Sequence, residues 1–398
     1  MVYSSPMGPY SIYLHIPFCL HRCGYCDFNT YAGLVDLIPA YLDALCAEIT
    51  WCSRTVGKRL PVHTIFFGGG TPSLLSVDGV ARILDTLTAN FDIVSSAEIT
   101  LEANPGTLSL SYLSELRQAG VNRLSLGMQS ANPSELRLLE RQHGFEDVIR
   151  SVCWARQAGF DNLNLDLIFG LPEQALESWQ HSLELALGLH PEHLSLYALT
   201  IEHGTPFGRW VERGLLSMPD PDAVADMYEW ASEQLENNGY AQYEISNWGK
   251  LPCIHNLQYW RNLPYLGFGA GAHGFAAGKR TANVLSPFDY AQRLRTGSES
   301  PLNEPEFPAT PATQELISID RSTEMGETMM VGLRLVQEGV SAQVFAQRFG
   351  QELDQVYRNQ IQQLVGLGLL EWAGNERAIL RLSKRGRLLG NQVFMQFL

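Results

Sequence analysis

Ser11–Cys26 reads SIYLHIPFCLHRCGYC: a short β-rich run that passes straight into a loop holding Cys19, Cys23 and Cys26 as C-x3-C-x2-C. Cysteines three and four residues apart can turn their sulfurs toward one centre, which a metal ion or an iron–sulfur cluster requires. Zinc is the plainer reading. Its structural sites are closed by four ligands, usually as paired C-x2-C or Cys/His sets. Here His15 or His21 would have to supply the fourth, and no second pair follows. Three cysteines suit a cubane better, with three irons tied to the protein and the fourth left open to a small molecule. The cluster reading therefore leads, and it places a cofactor directly after the first strand.

Working outward, six β-rich runs recur at intervals a helix would fill: Ser11–Ile16, Val62–Phe67, Ala97–Glu102, Asn122–Gly127, Asn162–Ile168 and His193–Leu199. Helical patterns lie between them at Leu37–Val56, Val77–Phe91, Leu110–Gly120, Phe145–Gly159 and Leu176–Leu187. Strand–helix alternation implies an α/β fold of parallel strands with right-handed crossovers. Six units predict a partial (β/α)6 barrel or a curved open sheet, with a doubly wound sheet as the alternative. In each of these, function belongs at the C-terminal ends of the strands. Glu102, Gln129 and Asp166 fall near or just beyond such ends.

Composition narrows the class. An apolar fraction of 45% with 18% charged residues excludes disorder, collagen and coiled coil. Net charge is 28 − 42 = −14, which makes the chain a poor generic binder of nucleic acid or anionic lipid. No run of 18 apolar residues occurs, and no basic start leads into an apolar stretch, so neither a membrane span nor a signal peptide is expected. Seven cysteines, three of them crowded near the N-terminus, do not read as a disulfide framework; a reducing cytoplasmic compartment is expected.

Tyr13-Leu-His-Ile-Pro-Phe-Cys19 with Cys23-Gly-Tyr-Cys26 strongly resembles the radical S-adenosylmethionine (SAM) superfamily. Within it, the resemblance is to the branch of oxygen-independent coproporphyrinogen III dehydrogenase and the HemW-type heme chaperones. It implies a [4Fe-4S] cluster on Cys19, Cys23 and Cys26, its open iron chelated by the methionyl amino and carboxylate groups of S-adenosylmethionine. Gly68-Gly-Gly-Thr-Pro72 follows the second strand, and the resemblance assigns Gly69, Gly70 and Thr71 to the methionyl amino group. Glycines there would also serve a tight turn alone. Glu102, as a carboxylate, suits ribose hydroxyls or an ammonium group. Gln129, Arg141 and Asp166 match positions lining the same cavity, although a structural salt bridge would equally explain Arg141. Tyr13 and Tyr25 resemble the nucleoside contacts, with packing as the alternative.

Two features separate the branches. The dehydrogenases continue their motif with a further cysteine two residues after the third, where this chain has Phe28. His255-Asn-Leu-Gln-Tyr-Trp260 matches the H-N-x-x-Y-W motif of the heme chaperones. A neutral imidazole is a common axial ligand to heme iron, so His255 is the candidate. Tyr259 and Trp260 offer flat faces to a porphyrin, and Asn256 would orient the imidazole. A lone histidine beside aromatics is otherwise a core residue. Cys253 would be a second ligand or an attachment point, but no C-x-x-C-H motif accompanies it. Cys46, Cys52 and Cys153 read as buried, inert thiols.

The expectation is a heme chaperone that binds the cluster, S-adenosylmethionine and heme, and hands heme to an acceptor protein, such as a cytochrome or another membrane-associated hemoprotein. Cluster and cofactor would then promote homodimerisation or heme release. The alternative is a coproporphyrinogen III dehydrogenase making protoporphyrinogen IX. A zinc-bound regulator acting on DNA is a third class. Three regions are expected: 1–215, a radical SAM partial barrel with the cluster site; 216–300, an extension carrying the HNxxYW motif; and 301–398, a winged-helix-like α+β unit. Arg377, Arg381, Lys384, Arg385 and Arg387 make its hairpin basic, which on an acidic protein reads as a solvated face. A Ser/Pro/Glu-rich linker is expected over Thr296–Thr310.

Overall fold

The computed structural model describes residues 9–296 and 306–398. Six parallel strands follow one another in sheet order: β1 (Tyr10–Ile16), β2 (Pro61–Gly69), β3 (Asp92–Ala103), β4 (Arg123–Gln129), β5 (Leu163–Phe169) and β6 (His193–Ala198). The crossovers between them are α1 (Ile38–Val56), α2 (Val77–Asn90), α3 (Leu110–Ala119), α4 (Phe145–Gln157) and α5 (Leu176–Gly188). The strand order never reverses, so the fold is the unclosed radical SAM barrel and not a doubly wound sheet. Ser76 and Ser109 start α2 and α3 by accepting hydrogen bonds from the N–H groups of Gly79 and Tyr112.

Alternation along the strands divides polar from apolar. Leu124, Leu126 and Met128, with Leu165, Leu167 and Phe169, are buried in the core that the helices cover. The opposite face carries Ser11, Thr64, Glu98, Arg123, Ser125, Asn164, Asp166, His193 and Ser195, which turn into the barrel; Thr64 bonds Ser11, and Ser125, Asn164, Asp166, His193 and Ser195 form one bonded group. Asp166 lies in the middle of β5, not at its end as the sequence reading had it.

Beyond α6 (Pro221–Asn237), both edges of the sheet are extended, to twelve strands in all. β7 (Ala241–Glu244) and β8 (Asn247–Gly249) continue it past β6. After α7 (Ile254–Trp260), the strand β9 (Tyr265–Phe268) joins β1 in parallel. β10 (His273–Ala276), β11 (Lys279–Asn283) and, past α8 (Pro287–Thr296), β12 (Thr313–Ser318) follow antiparallel. The glycine-dense stretch Gly267–Gly278 thus forms part of the sheet's antiparallel extension, which its lack of branched residues concealed.

Residues 297–305 of the expected linker lie outside the described residues, and its last residue, Thr310, is buried and bonded to Glu48. Among the described residues no helix is long and apolar enough to cross a membrane.

The C-terminal unit has its own core, around Met329, Phe345, Leu364 and Leu380. α9 (Arg321–Gly332), α10 (Ala342–Phe349) and α11 (Arg358–Gly366) pack with β14 (Leu370–Ala373) and β15 (Ile379–Leu382), and β13 (Val340–Ser341) pairs with β15 as a third strand. This is the winged-helix-like arrangement. Three of its arginines are engaged within the protein: Arg381 pairs with Glu371, Arg385 donates to the Leu367 carbonyl and Arg387 to Gln242. Cys46 and Cys52 are buried, but Cys153 is exposed, because it falls on the outer face of α4.

Candidate cofactor cavity

At the C-terminal mouth of the barrel lies a cavity of about 490 Å³, walled by Cys19, Cys23, Cys26, Tyr25, Gly69, Gly70, Thr71, Glu102, Gln129, Arg141 and Asp166. Eleven of the twelve residues that family resemblance assigns to cluster and nucleotide thus gather here. Tyr13 is the exception. Its ring lies behind the wall, stacked on Phe66, and its hydroxyl donates to His15 Nδ1 (3.0 Å).

Backbone bonds hold the cysteine loop to the strands. Gly70 N donates to Ile16 O and Thr71 N to Phe18 O, both at 2.8 Å. His15 donates from Nε2 to Asn29 O (2.9 Å), which ties down the loop's far end. Burial first of all lowers its pKa, so the ring is neutral. With both nitrogens engaged, His15 is not a fourth metal ligand. His21 also lines the cavity, its Nε2 3.5 Å from Glu140 Oε2.

Each thiol has a donor or hydroxyl beside it. Thr71 Oγ1 lies 3.7 Å from Cys19, Arg141 Nη1 3.9 Å from Cys23, and Thr30 Oγ1 3.8 Å from Cys26. Burial pushes Cys19 and Cys23 upward, while Thr71 and Arg141 pull them back toward the thiolate. Such contacts to sulfur are what a cluster's ligands use. Among the described residues no three His, Cys, Asp or Glu side chains converge on the position of a single metal ion. A cubane binds its ligands at separate corners and takes sulfurs from further apart than one zinc does. Arg141 also donates to Gly127 O (3.2 Å), and among the described residues no carboxylate forms a salt bridge with it.

Opposite the thiols sit the acids. Glu102 Oε2 accepts from Gly69 N (3.2 Å), and its pKa is raised to about 8, by burial first and then by Asp166. Asp166, also raised by burial, accepts from Ser125 Oγ (2.9 Å) and Asn164 Nδ2 (2.8 Å). Gln129 and Glu140 both hold left-handed backbone (φ 65° and 54°), a cost that concentrates at binding sites.

Gly70 allows the closest approach: a Cβ there would lie 2.6 Å from Phe18 O and 3.0 Å from Cys19 Sγ. Gly70→Ala is therefore expected to fold but to lose most of its reconstituted iron and sulfide, as read by metal and sulfide analysis per chain. Retention of the full wild-type content would show that the loop tolerates a methyl group.

His255, Asn256, Tyr259 and Trp260 are not part of this cavity. α7 closes the other end of the barrel, since Thr64, which His255 meets, lies five residues before Gly69 on β2, about 16 Å along the strand. Glu98 caps α7, accepting from Ile254 N (3.1 Å) and His255 N (3.0 Å), and receives Cys253 Sγ at 3.5 Å. His255 is 2% exposed and stacks on Phe66 at 5.1 Å. Burial lowers its pKa to about 3. Thr64 Oγ1 donates to Ser11 (2.5 Å) and so receives His255 Nδ1–H (2.8 Å), which leaves the Nε2 lone pair to the Tyr259 hydroxyl (2.8 Å). Thr64, not Asn256, therefore orients the imidazole; Asn256 turns to Tyr243. Trp260 lies against the Arg334 guanidinium (5.1 Å) and presents no open face there. The sequence reading missed Thr64, Glu98, Asn164, His193 and Tyr243, all carried by the polar face of the strands or by the edge β7.

Residues 13–186 match the family model of the radical SAM superfamily, and 319–389 that of the HemN C-terminal domain. The chain is 39% identical over 391 residues to the heme chaperone HemW of Bacillus subtilis (strain 168), across 98% of this chain and 99% of that one. It is 38% identical over 393 residues to that of Lactococcus lactis subsp. lactis (strain IL1403), across 98% and 97%. Against HemW of Escherichia coli (strain K12) the identity is 41% over 298 residues, across 72% and 76%. In three dimensions it matches coproporphyrinogen III oxidase (HemN) from Escherichia coli with a TM-score of 0.81, across 100% of this chain and 91% of that one, at 24% identity, a likeness of fold.

Proposed function

From the premise that this chain belongs to the HemW heme-chaperone family of radical SAM proteins, we propose that it binds a [4Fe-4S] cluster and S-adenosylmethionine in the barrel mouth, binds heme through the α7 motif, and passes heme to an acceptor protein. Cys19, Cys23 and Cys26 fit three cluster ligands, as each sulfur has a hydroxyl or guanidinium within 3.9 Å. When bound, the cluster supplies an open iron for the methionyl group. Glu102 and Asp166 accept the ligand's ammonium or hydroxyl donors, Arg141 balances charge beside Cys23, and the Gly69–Gly70 backbone admits close contact.

One observation carries the heme assignment: His255 is neutral, its proton is on Nδ1, and its Nε2 lone pair points at a single hydroxyl. That is the tautomer an axial ligand needs, with Thr64 as the oxygen that raises its basicity. Access is the obstacle, since Tyr259 covers the lone pair and the ring is buried. Heme ligation by His255 therefore requires Tyr259 to swing aside or α7 to lift.

The test is an anaerobic heme titration of the cluster-reconstituted protein, followed at the Soret band. Near-stoichiometric binding is expected in the wild type, with a band shifted or lost in His255→Ala. Tyr259→Phe, which uncovers Nε2, should bind about fivefold more tightly, the worth of one hydrogen bond. Binding indifferent to both substitutions would remove His255 from the heme site.

A further inference from the structure

Between the cavity wall and α7 runs an unbroken line of side-chain hydrogen bonds through the barrel. Asn164 Nδ2 donates to Asp166 Oδ1 (2.8 Å), and Asn164 Oδ1 meets His193 Nδ1 (2.6 Å). His193 Nε2 meets the Tyr243 hydroxyl (2.8 Å), and Asn256 Nδ2 donates to that hydroxyl oxygen (3.5 Å). The protons can be placed from one end. A carboxylate only accepts, so Asn164 presents its NH2 group to Asp166 and its oxygen to His193. His193 then carries its proton on Nδ1 and receives the Tyr243 hydroxyl at Nε2. Every donor points from the HNxxYW helix toward the cavity carboxylate. His193 is buried and burial drives its pKa far down, so the ring stays neutral and its tautomer fixed.

The far end of α7 is fastened to the C-terminal unit. The Arg334 guanidinium lies between the rings of Trp260 (5.1 Å) and Phe394 (4.6 Å). Arg261 pairs with Glu338 at 2.7 Å, Asn262 donates to Thr328 Oγ1 (3.0 Å), and Arg348 donates to Asn262 O (2.8 Å). The helix that covers His255 thus touches the cofactor cavity through one end of the chain and the winged-helix-like unit through the other.

We propose that Asn164, His193 and Tyr243 are positioning residues that tie Asp166 to Asn256, so that filling the cavity changes the hold on α7 and, through it, the seating of the C-terminal unit. The proposal rests on the cavity being the nucleotide site described above. A ligand that brings new donors to Asp166 competes with Asn164 for the carboxylate, and in a chain of this kind each bond polarises the next. The coupling is reciprocal: a change that lifts α7 also alters the cavity.

The experiment uses the cluster-reconstituted full chain with and without S-adenosylmethionine, and two readouts. The electron paramagnetic resonance spectrum of the reduced cluster reports binding in the cavity. Hydrogen–deuterium exchange of peptides spanning 253–263 and 321–338 reports on α7 and its joint. In the wild type both respond, exchange by severalfold. In Tyr243→Phe the cluster spectrum still responds while the exchange difference is largely lost, and Asn256→Leu, which breaks the chain at its outer end, behaves alike. A cluster response with no exchange difference in the wild type overturns the coupling alone, as does a wild-type difference in Tyr243→Phe. If the nucleotide leaves the cluster spectrum unchanged, the cavity reading falls and the coupling with it.

Discussion

Glu102→Gln is expected to weaken S-adenosylmethionine binding about 100-fold at pH 8, near the 1.5–3 kcal/mol that hydrogen bonds to a charged group contribute. It should also remove the carboxyl's share of the proton release linked to binding. Burial and the neighbouring Asp166 raise the Glu102 carboxyl to about 8, so in the empty cavity it is largely protonated at neutral pH. A ligand bearing an ammonium, a sulfonium and ribose hydroxyls favours the ionised form. Binding below pH 8 must therefore expel a proton, and affinity rises with pH until about 8 and then levels. The ligand's own α-amino group, with a pKa of about 7.7–8.0, titrates over the same range and exchanges its own proton. The Gln variant separates the two, because it keeps the amine's contribution and loses the carboxyl's. Calorimetry in buffers of differing ionisation enthalpy counts the protons directly. Equal proton release in wild type and variant would mean that Glu102 ionises independently of the ligand.

The same shift bears on the fold. The folded-state pKa lies above the ordinary carboxyl value of 4.5, so this group's contribution to stability is whole below that pH and is lost as pH rises toward 8. Glu102→Gln lacks the ionisable group and should flatten that part of the pH–stability curve. A residue that is costly to the empty protein and useful to the loaded one is common at a binding site.

The cofactor end of the barrel was legible because its chemistry is local. The three cysteines sit within eight residues, the glycines within three, and both follow strands whose pattern is plain. The motif around His255 was legible as a motif and misleading as a pocket. Its aromatic and polar residues look like a surface awaiting a porphyrin, whereas Thr64, Glu98 and Phe66, contributed by distant strands, enclose the histidine. Asn164 and Asp166, like His193 and Ser195, stand at a spacing of two among apolar residues, a polar face that the sequence reading passed over. What a spacing of two leaves unsaid is whether such a face meets solvent or, as here, the inside of a barrel.

Glu48→Ala is expected to cost about 3–5 kcal/mol and to lower Tm by about 5–10 °C, because one buried carboxylate holds the antiparallel edge onto the barrel. Glu48 is fully buried on α1. It accepts from Tyr290 Oη (2.6 Å) and Gly269 N (2.8 Å) on one oxygen, and from Asn283 Nδ2 (2.7 Å) and Thr310 Oγ1 (2.8 Å) on the other. Burial raises its pKa and these four donors oppose the rise. Truncation removes the acceptor of all four; Asn283 Nδ2 keeps Gly269 O (3.0 Å), and each donor left buried and unpaired costs about 1–3 kcal/mol with incomplete additivity. Glu48→Gln should fall between, since one oxygen remains while its NH2 group meets donors. The partners stand more than 200 residues away in sequence, so nothing around Glu48 in the helical pattern marked it. Its loss also reaches the cluster loop. Asn29 Nδ2 bonds Ala270 O (3.1 Å) and Leu285 O (2.9 Å), and Tyr41 Oη joins His15 O to Ala270 N (2.8 Å each), all within the edge that Glu48 secures. Thermal unfolding of the Ala and Gln variants, with iron content measured on the same samples, tests both links. A Tm within about 2 °C of wild type in Glu48→Ala would mean that packing alone retains the edge.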